Sequence, residues 1–124
     1  MIRAQVKAIY AGSVDALKDH VPQDPANFFL NVTVMVGPYG EKGEESFDLY
    51  VCTPAWIAEK CERDGFVKGR HLLIVPGFNP DFIRALIVKF VERCEGDSWK
   101  EVAEKVSRIG HWEFEDYRDR MPGG

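Results

Sequence analysis

FDLYVCTPAWIAEKC, residues 47–61, decides how the rest of the chain is organised. Phe47, Leu49 and Val51 alternate with Asp48, Tyr50 and Cys52, the period-2 pattern of a half-buried strand. Thr53 and Pro54 then start a helix. The threonine hydroxyl can accept from a free N–H of the first turn, and proline suits the first helical position, where its missing N–H is no loss. Trp56, Ile57 and Cys61 follow on one helical face, among Glu59, Lys60 and Glu62. A junction this sharp fixes where the chain leaves the sheet, so the flanking elements must pack around it.

Upstream, Phe28, Leu30, Val32, Val34 and Val36 alternate as cleanly as any stretch in the chain. Phe29 and Met35, on the other face of that strand, predict that this side is partly covered too. The loop GPYGEKGEES, 37–46, closes a long hairpin between this strand and the one at 47. At the start of the chain, Ile2, Ala4, Val6, Ala8 and Tyr10 alternate with Arg3, Gln5 and Lys7, a strand with one wet face. Gly12, Pro22 and Pro25 break the pattern between 11 and 27, with room for a helical turn within 13–20.

Downstream, HLLIV at 71–75 is a continuous apolar run, which predicts an interior strand covered on both faces. The connection 53–70 is long enough for a parallel crossover. Residues 81–95 carry Phe82, Ile83, Leu86, Ile87, Phe90, Val91 and Cys94 on one helical stripe, with Pro80 before it and Gly96 past its end. A last helix begins at Ser98, which with Glu101 has the spacing of a capping box. Trp99, Val102, Ala103, Val106 and Ile109 form its apolar face, and Gly110 stops it. Trp112 and Phe114 then alternate with Glu113 and Glu115 as a short edge strand, and the tail 120–124 reads as loose. The fold class is α+β: a four-stranded, mostly antiparallel sheet in the order β-β-β-α-β-α-α, helices packed on one face, and a short C-terminal edge strand.

A chain of 124 residues has the size of one domain, 1–124. Hydrophobic residues at 45% and charged residues at 29% are ordinary for a soluble globular protein. A net charge of −4 argues against nucleic acid as partner, because phosphates need a basic face. No apolar run approaches the roughly 20 residues of a membrane span, and the start MIRAQVKAIYAGSV lacks the apolar centre of a signal peptide. The three cysteines, Cys52, Cys61 and Cys94, sit within apolar patterns and read as free thiols in a reducing cytoplasm.

Chemistry is sparse. His20, His71 and His111 lie far apart, none in a metal-ligand spacing with a cysteine, so no metal or cofactor is expected. Cys52 and His71, both at strand ends, are the one nucleophile–base pairing to weigh against plain packing. The glycines of 37–43 precede a strand rather than a helix and form no phosphate cradle. No catalytic residue is assigned, and the chain is not expected to be an enzyme.

Two acidic stretches remain. Glu41, Glu44, Glu45 and Asp48 stand against Lys42 alone. Glu113, Glu115, Asp116 and Asp119 stand against Arg118 and Arg120, interleaved with Trp112, Phe114 and Tyr117. Aromatics beside carboxylates suit a protein interface, where rings supply binding energy and charge steers the encounter. The plainer reading is a solvated turn, with Trp112 and Phe114 facing the core of an edge strand. The candidate partner-binding residues are Glu41, Glu44, Glu45, Asp48, Trp112, Glu113, Glu115, Asp116 and Tyr117.

FDLYVCTPAWIAEKC, GRHLLIV at 69–75 and CEGDSWKEVAEKVSRIGHWEFEDY at 94–117 together resemble the immunity protein 8 family of bacterial polymorphic toxin systems. The resemblance covers the second half of the chain in its residues and the first two strands in pattern. It implies a cytoplasmic antidote that binds and silences the C-terminal domain of a cognate toxin by occlusion. A basic nuclease is one toxin that an acidic patch would cover. An exposed edge at 112–117 would permit a homodimer. Two other readings stay open at this point. A small enzyme would show a cleft pairing Cys52 or an acid with a histidine, and a scaffold or ligand-binding module would show a deep apolar pocket.

Overall fold

Thr53 ties the strand–helix junction together. Its Oγ1 accepts from Trp56 N at 3.4 Å, capping the helix, and from Phe28 N at 3.1 Å, holding the start of the neighbouring strand. The side chain is fully buried. A computed structural model describes residues 1–12 and 17–114. Its elements are β1 (Ile2–Ala11), β2 (Phe29–Pro38), β3 (Glu45–Cys52), α1 (Pro54–Asp64), β4 (Leu72–Ile74), α2 (Pro80–Glu92), β5 (Glu95–Gly96), α3 (Trp99–Val106) and β6 (His111–Trp112), with a 3-10 turn at Leu17–Asp19.

The class is α+β, as expected, around one curled mixed sheet of order β4-β3-β2-β1-β5. β1, β2 and β3 form the antiparallel meander, and β4 returns parallel to β3 after α1. β6 runs antiparallel to β3, pairing Phe47 with Trp112 and Asp48 with His111. The outer edge of β3 is therefore shared: β6 takes its first half and β4 its second.

Alternation sets which side chains face the helices. Val32, Val34, Phe47, Leu49 and Val51 point one way and are buried with Ile83, Ile87 and Val91 of α2 and Val102 and Val106 of α3. Burying each such side chain stabilises the fold by about 1.5–3 kcal/mol. Each helix starts where its cap lies: Asn79 Oδ1 accepts from Phe82 N at 3.1 Å, and Ser98 Oγ accepts from Glu101 N at 3.2 Å. The Glu101 carboxylate reaches back to Asp97 N at 3.1 Å, one residue before the cap, so the box closes around a slightly longer turn.

Six expectations need correction. The sheet has one strand more than expected, because the two-residue β5 also pairs, while β6 is the short C-terminal edge strand foreseen, shifted to His111–Trp112. The HLLIV run does not make an interior strand: β4 is at an edge, with Ile74 54% exposed, and only Leu73 and Val75 point toward the helices. α2 ends at Glu92, before the expected 95, so that the chain can turn and Ala4 N can donate to Cys94 O at 3.0 Å. Gly96 is then a strand residue opposite Ile2 rather than a helix stop. Gly110 does not end α3, which stops at Val106. A Cβ there would lie 3.2 Å from Asp48 O and 3.3 Å from Phe47 Cβ, so glycine is what lets the chain cross β3 closely enough to pair as β6. In β1 the register shifts between Val6 and Ala8. This bulge turns Ile9 and Ala11 inward, and Tyr10, expected to share a face with Ala4, is partly exposed.

Candidate functional site

The two acidic stretches, far apart in sequence, meet at one corner of the sheet. β6 brings the second against the start of β3, and Glu113 N donates to Ser46 O at 3.2 Å while Ser46 N donates to Glu113 Oε1 at 2.8 Å. Trp112 lies parallel to Phe47, centroids 6.3 Å apart, and its Nε1 donates to Glu45 Oε2 at 2.6 Å. Asp48 Oδ1 accepts from Thr33 Oγ1 at 2.5 Å. By strand alternation Glu45 and Trp112 share the helix side with Phe47, whereas Asp48 shares the opposite side with His111. The acids therefore straddle the sheet edge.

The hairpin loop above this corner is strapped to β1. Lys7 Nζ donates to Glu41 O at 2.7 Å and to Gln5 Oε1 at 3.0 Å, and Gly40 N donates to the same Gln5 oxygen at 3.1 Å. Glu41 and Glu44 are left exposed on a loop whose backbone is held. Of the candidate residues, Glu45, Asp48, Trp112 and Glu113 are thus drawn together and also do structural work, while Glu41 and Glu44 face solvent. Trp112 is half-buried against the core, as the plainer reading had it, and Phe114 sits edge-on to it at 5.8 Å, 40% exposed. Glu115, Asp116 and Tyr117 lie outside the described residues.

Trp112→Phe should keep the ring on Phe47 but leave Glu45 without its indole donor. A loss of about 1.5 kcal/mol is expected. Urea denaturation of Trp112→Phe, Glu45→Gln and the double variant checks this, the coupling between the two being the diagnostic quantity.

The nucleophile–base pairing is not assembled. Cys52 is fully buried, and burial pushes its thiol up, away from the reactive thiolate. It sits opposite Ile74, whereas His71 precedes the residue opposite Tyr50, so the strand register carries the two apart. His71 Nε2 instead lies 2.8 Å from Ser107 O. His20 packs edge-on to Phe78, and His71 edge-on to His111. Among the described residues no group of three His, Cys, Asp or Glu side chains is placed to hold a metal, and no helix is long and apolar enough to cross a membrane.

A second surface escaped the sequence. On the sheet face away from α2 and α3, Phe29 stacks between Tyr50 at 5.2 Å and Trp56 of α1 at 4.4 Å. The expectation that this side is partly covered holds: Trp56 of α1 stacks on it, Met35 is half-buried, and Phe29 stays 41% exposed. Its signal was present in the alternation of Phe29, Asn31, Thr33 and Met35, but whether a helix covers them depends on tertiary packing. Exposed aromatics of this kind anchor protein interfaces.

Compared with known families, residues 4–117 match the description immunity protein 8. Comparison with curated proteins gives no match, and comparison with solved structures gives none either.

Proposed function

This chain belongs to the immunity protein 8 family, and we propose that it binds a cognate toxin domain in the bacterial cytoplasm and silences it by covering its working surface. Immunity proteins protect a cell against a toxin, and protection by occlusion needs a rigid complementary surface rather than a nucleophile or a metal. The acidic corner carries this reading: the β6 edge of β3 gathers Glu45, Asp48 and Glu113, backed by Trp112 on Phe47, and the adjoining hairpin loop exposes Glu41 and Glu44. Such a corner complements a basic substrate-binding surface, as a nuclease would have, and its charge would speed the encounter.

The test is co-expression with the C-terminal domain of a cognate toxin, sought as a gene immediately upstream, scored for survival and for a stable complex. Glu45 and Glu113 also hold the fold, so reversing them would confound binding with stability. Glu41→Lys with Glu44→Lys, both exposed, is the cleaner variant. It should weaken the complex about tenfold at low salt while leaving the melting temperature close to that of the parent. Full protection and unchanged affinity in that variant would exclude the corner as the docking surface.

A further inference from the structure

We propose that Tyr39 anchors the partner at the acidic corner and that its ring receives an arginine side chain, so that the corner selects arginine over positive charge at large. This rests on the docking surface proposed above and names the group that surface takes. Tyr39 is 56% exposed, in the same hairpin loop that exposes Glu41 and Glu44. β2 runs antiparallel to both of its neighbours, so the start of β1, this loop and the start of β3 lie at one end of the sheet. β6 brings Glu113 to that end as well, its N donating to Ser46 O. The ring and the acids therefore share one end of the sheet.

The anchor is preformed. Three successive loop residues are tied to β1: Tyr39 N donates to Arg3 O at 2.7 Å, Gly40 N to Gln5 Oε1 at 3.1 Å, and Glu41 O accepts from Lys7 Nζ at 2.7 Å. Arg3 is fixed in turn, its Nε donating to Glu92 O at 3.1 Å. A ring on so held a backbone, with only two side-chain torsions of its own, loses little freedom when a partner covers it.

What the ring takes is already visible within the chain. The Arg3 guanidinium carbon lies over Tyr39, 5.3 Å from the ring centroid, drawn by the negative face of the aromatic system. The tyrosine stays more than half exposed beside it. Arginine suits both the open ring and the nearby acids, because its flat fork stacks on an aromatic face and donates to carboxylates in pairs. Lysine pairs with the acids too, but its compact, strongly hydrated ammonium gains less from a ring at the surface. A second guanidinium on the far face would stand roughly 10 Å from that of Arg3, at least a Debye length at physiological salt, so the two repel little.

The probes are hepta-arginine and hepta-lysine, equal in charge, titrated into the full chain and followed by amide shifts in 15N spectra. Both should shift residues 39–45, and hepta-arginine should bind about three- to fivefold more tightly. Tyr39→Ala should bring it to the level of hepta-lysine, whereas Tyr39→Phe keeps the ring and should keep the preference. Glu41→Lys with Glu44→Lys should weaken both peptides, and dispersed spectra of every variant exclude unfolding as the cause. If that charge reversal weakens both peptides but the parent binds them equally, the corner stands and the arginine anchor falls. A preference that survives Tyr39→Ala also removes the ring from it. Shifts that miss this end of the sheet, or binding indifferent to the charge reversal, overturn the corner and the anchor together.

Discussion

Replacing Gly37 by alanine should lower stability by about 3 kcal/mol, the upper range for forcing extra atoms into a packed site. A Cβ at this buried β2 position would fall 1.9 Å from Gly43 O, with Lys7 Cε only 3.2 Å away. The nearer obstacle is backbone, so it cannot swing aside as a side chain would. Either the Gly43 carbonyl moves, opening the hairpin, or β2 shifts against β1, where Gly37 pairs with Gln5. Both displace the loop that presents Glu41 and Glu44. For a chain of this length the cost corresponds to a fall in melting temperature of roughly 10 °C or more. Gly40→Ala is the control: its φ of 75° strains any other residue, but nothing lies within 4 Å of the added atom. That change should cost about 1 kcal/mol. Equal effects from the two would show that the Gly37–Gly43 contact is not as close as described.

Thr53→Val should cost about 2–3 kcal/mol although it preserves shape. The hydroxyl oxygen accepts from both Phe28 N and Trp56 N, and valine leaves both donors without it. Losing a helix cap alone costs roughly 1 kcal/mol, and a buried N–H without a partner adds about 1–3 kcal/mol. Phe28 N is the buried one, so most of the loss belongs to the β2 end of the junction rather than to the helix. Thr53→Ser keeps the oxygen and should stay within about 1 kcal/mol of the parent. Chemical denaturation separates the three. If valine is as stable as the parent, the hydroxyl does not hold the junction; if serine loses as much as valine, the methyl packing matters as much as the hydroxyl.

These two sites show where the sequence was legible. Thr53–Pro54 announced the junction, because caps and N1 prolines act within one turn and their partners are near in the chain. The meander was legible for the same reason, through alternation that a short loop turns into pairing. What stayed hidden depends on distant segments. β5 is too short to show a period, and it exists only because β1 offers it an edge. The apolar content of 71–75 pointed to an interior strand, but how many neighbours a strand has is decided by the rest of the sheet. The bulge after Val6 was invisible, since a regular alternation of residues does not reveal where the backbone breaks its own register. Of the candidate site, composition identified both acidic stretches. It could not say that they meet, nor that Glu45 and Glu113 are tied to Trp112 and Ser46 while Glu41 and Glu44 face solvent.

The most direct measurement is the association rate constant of this chain with the C-terminal domain of its cognate toxin, taken by stopped flow at low and at physiological salt. If the acidic corner docks on a basic surface, the rate falls steeply as salt rises, and Glu41→Lys/Glu44→Lys lowers it about tenfold at low salt with little change in dissociation. A rate indifferent to both salt and charge reversal would contradict that account.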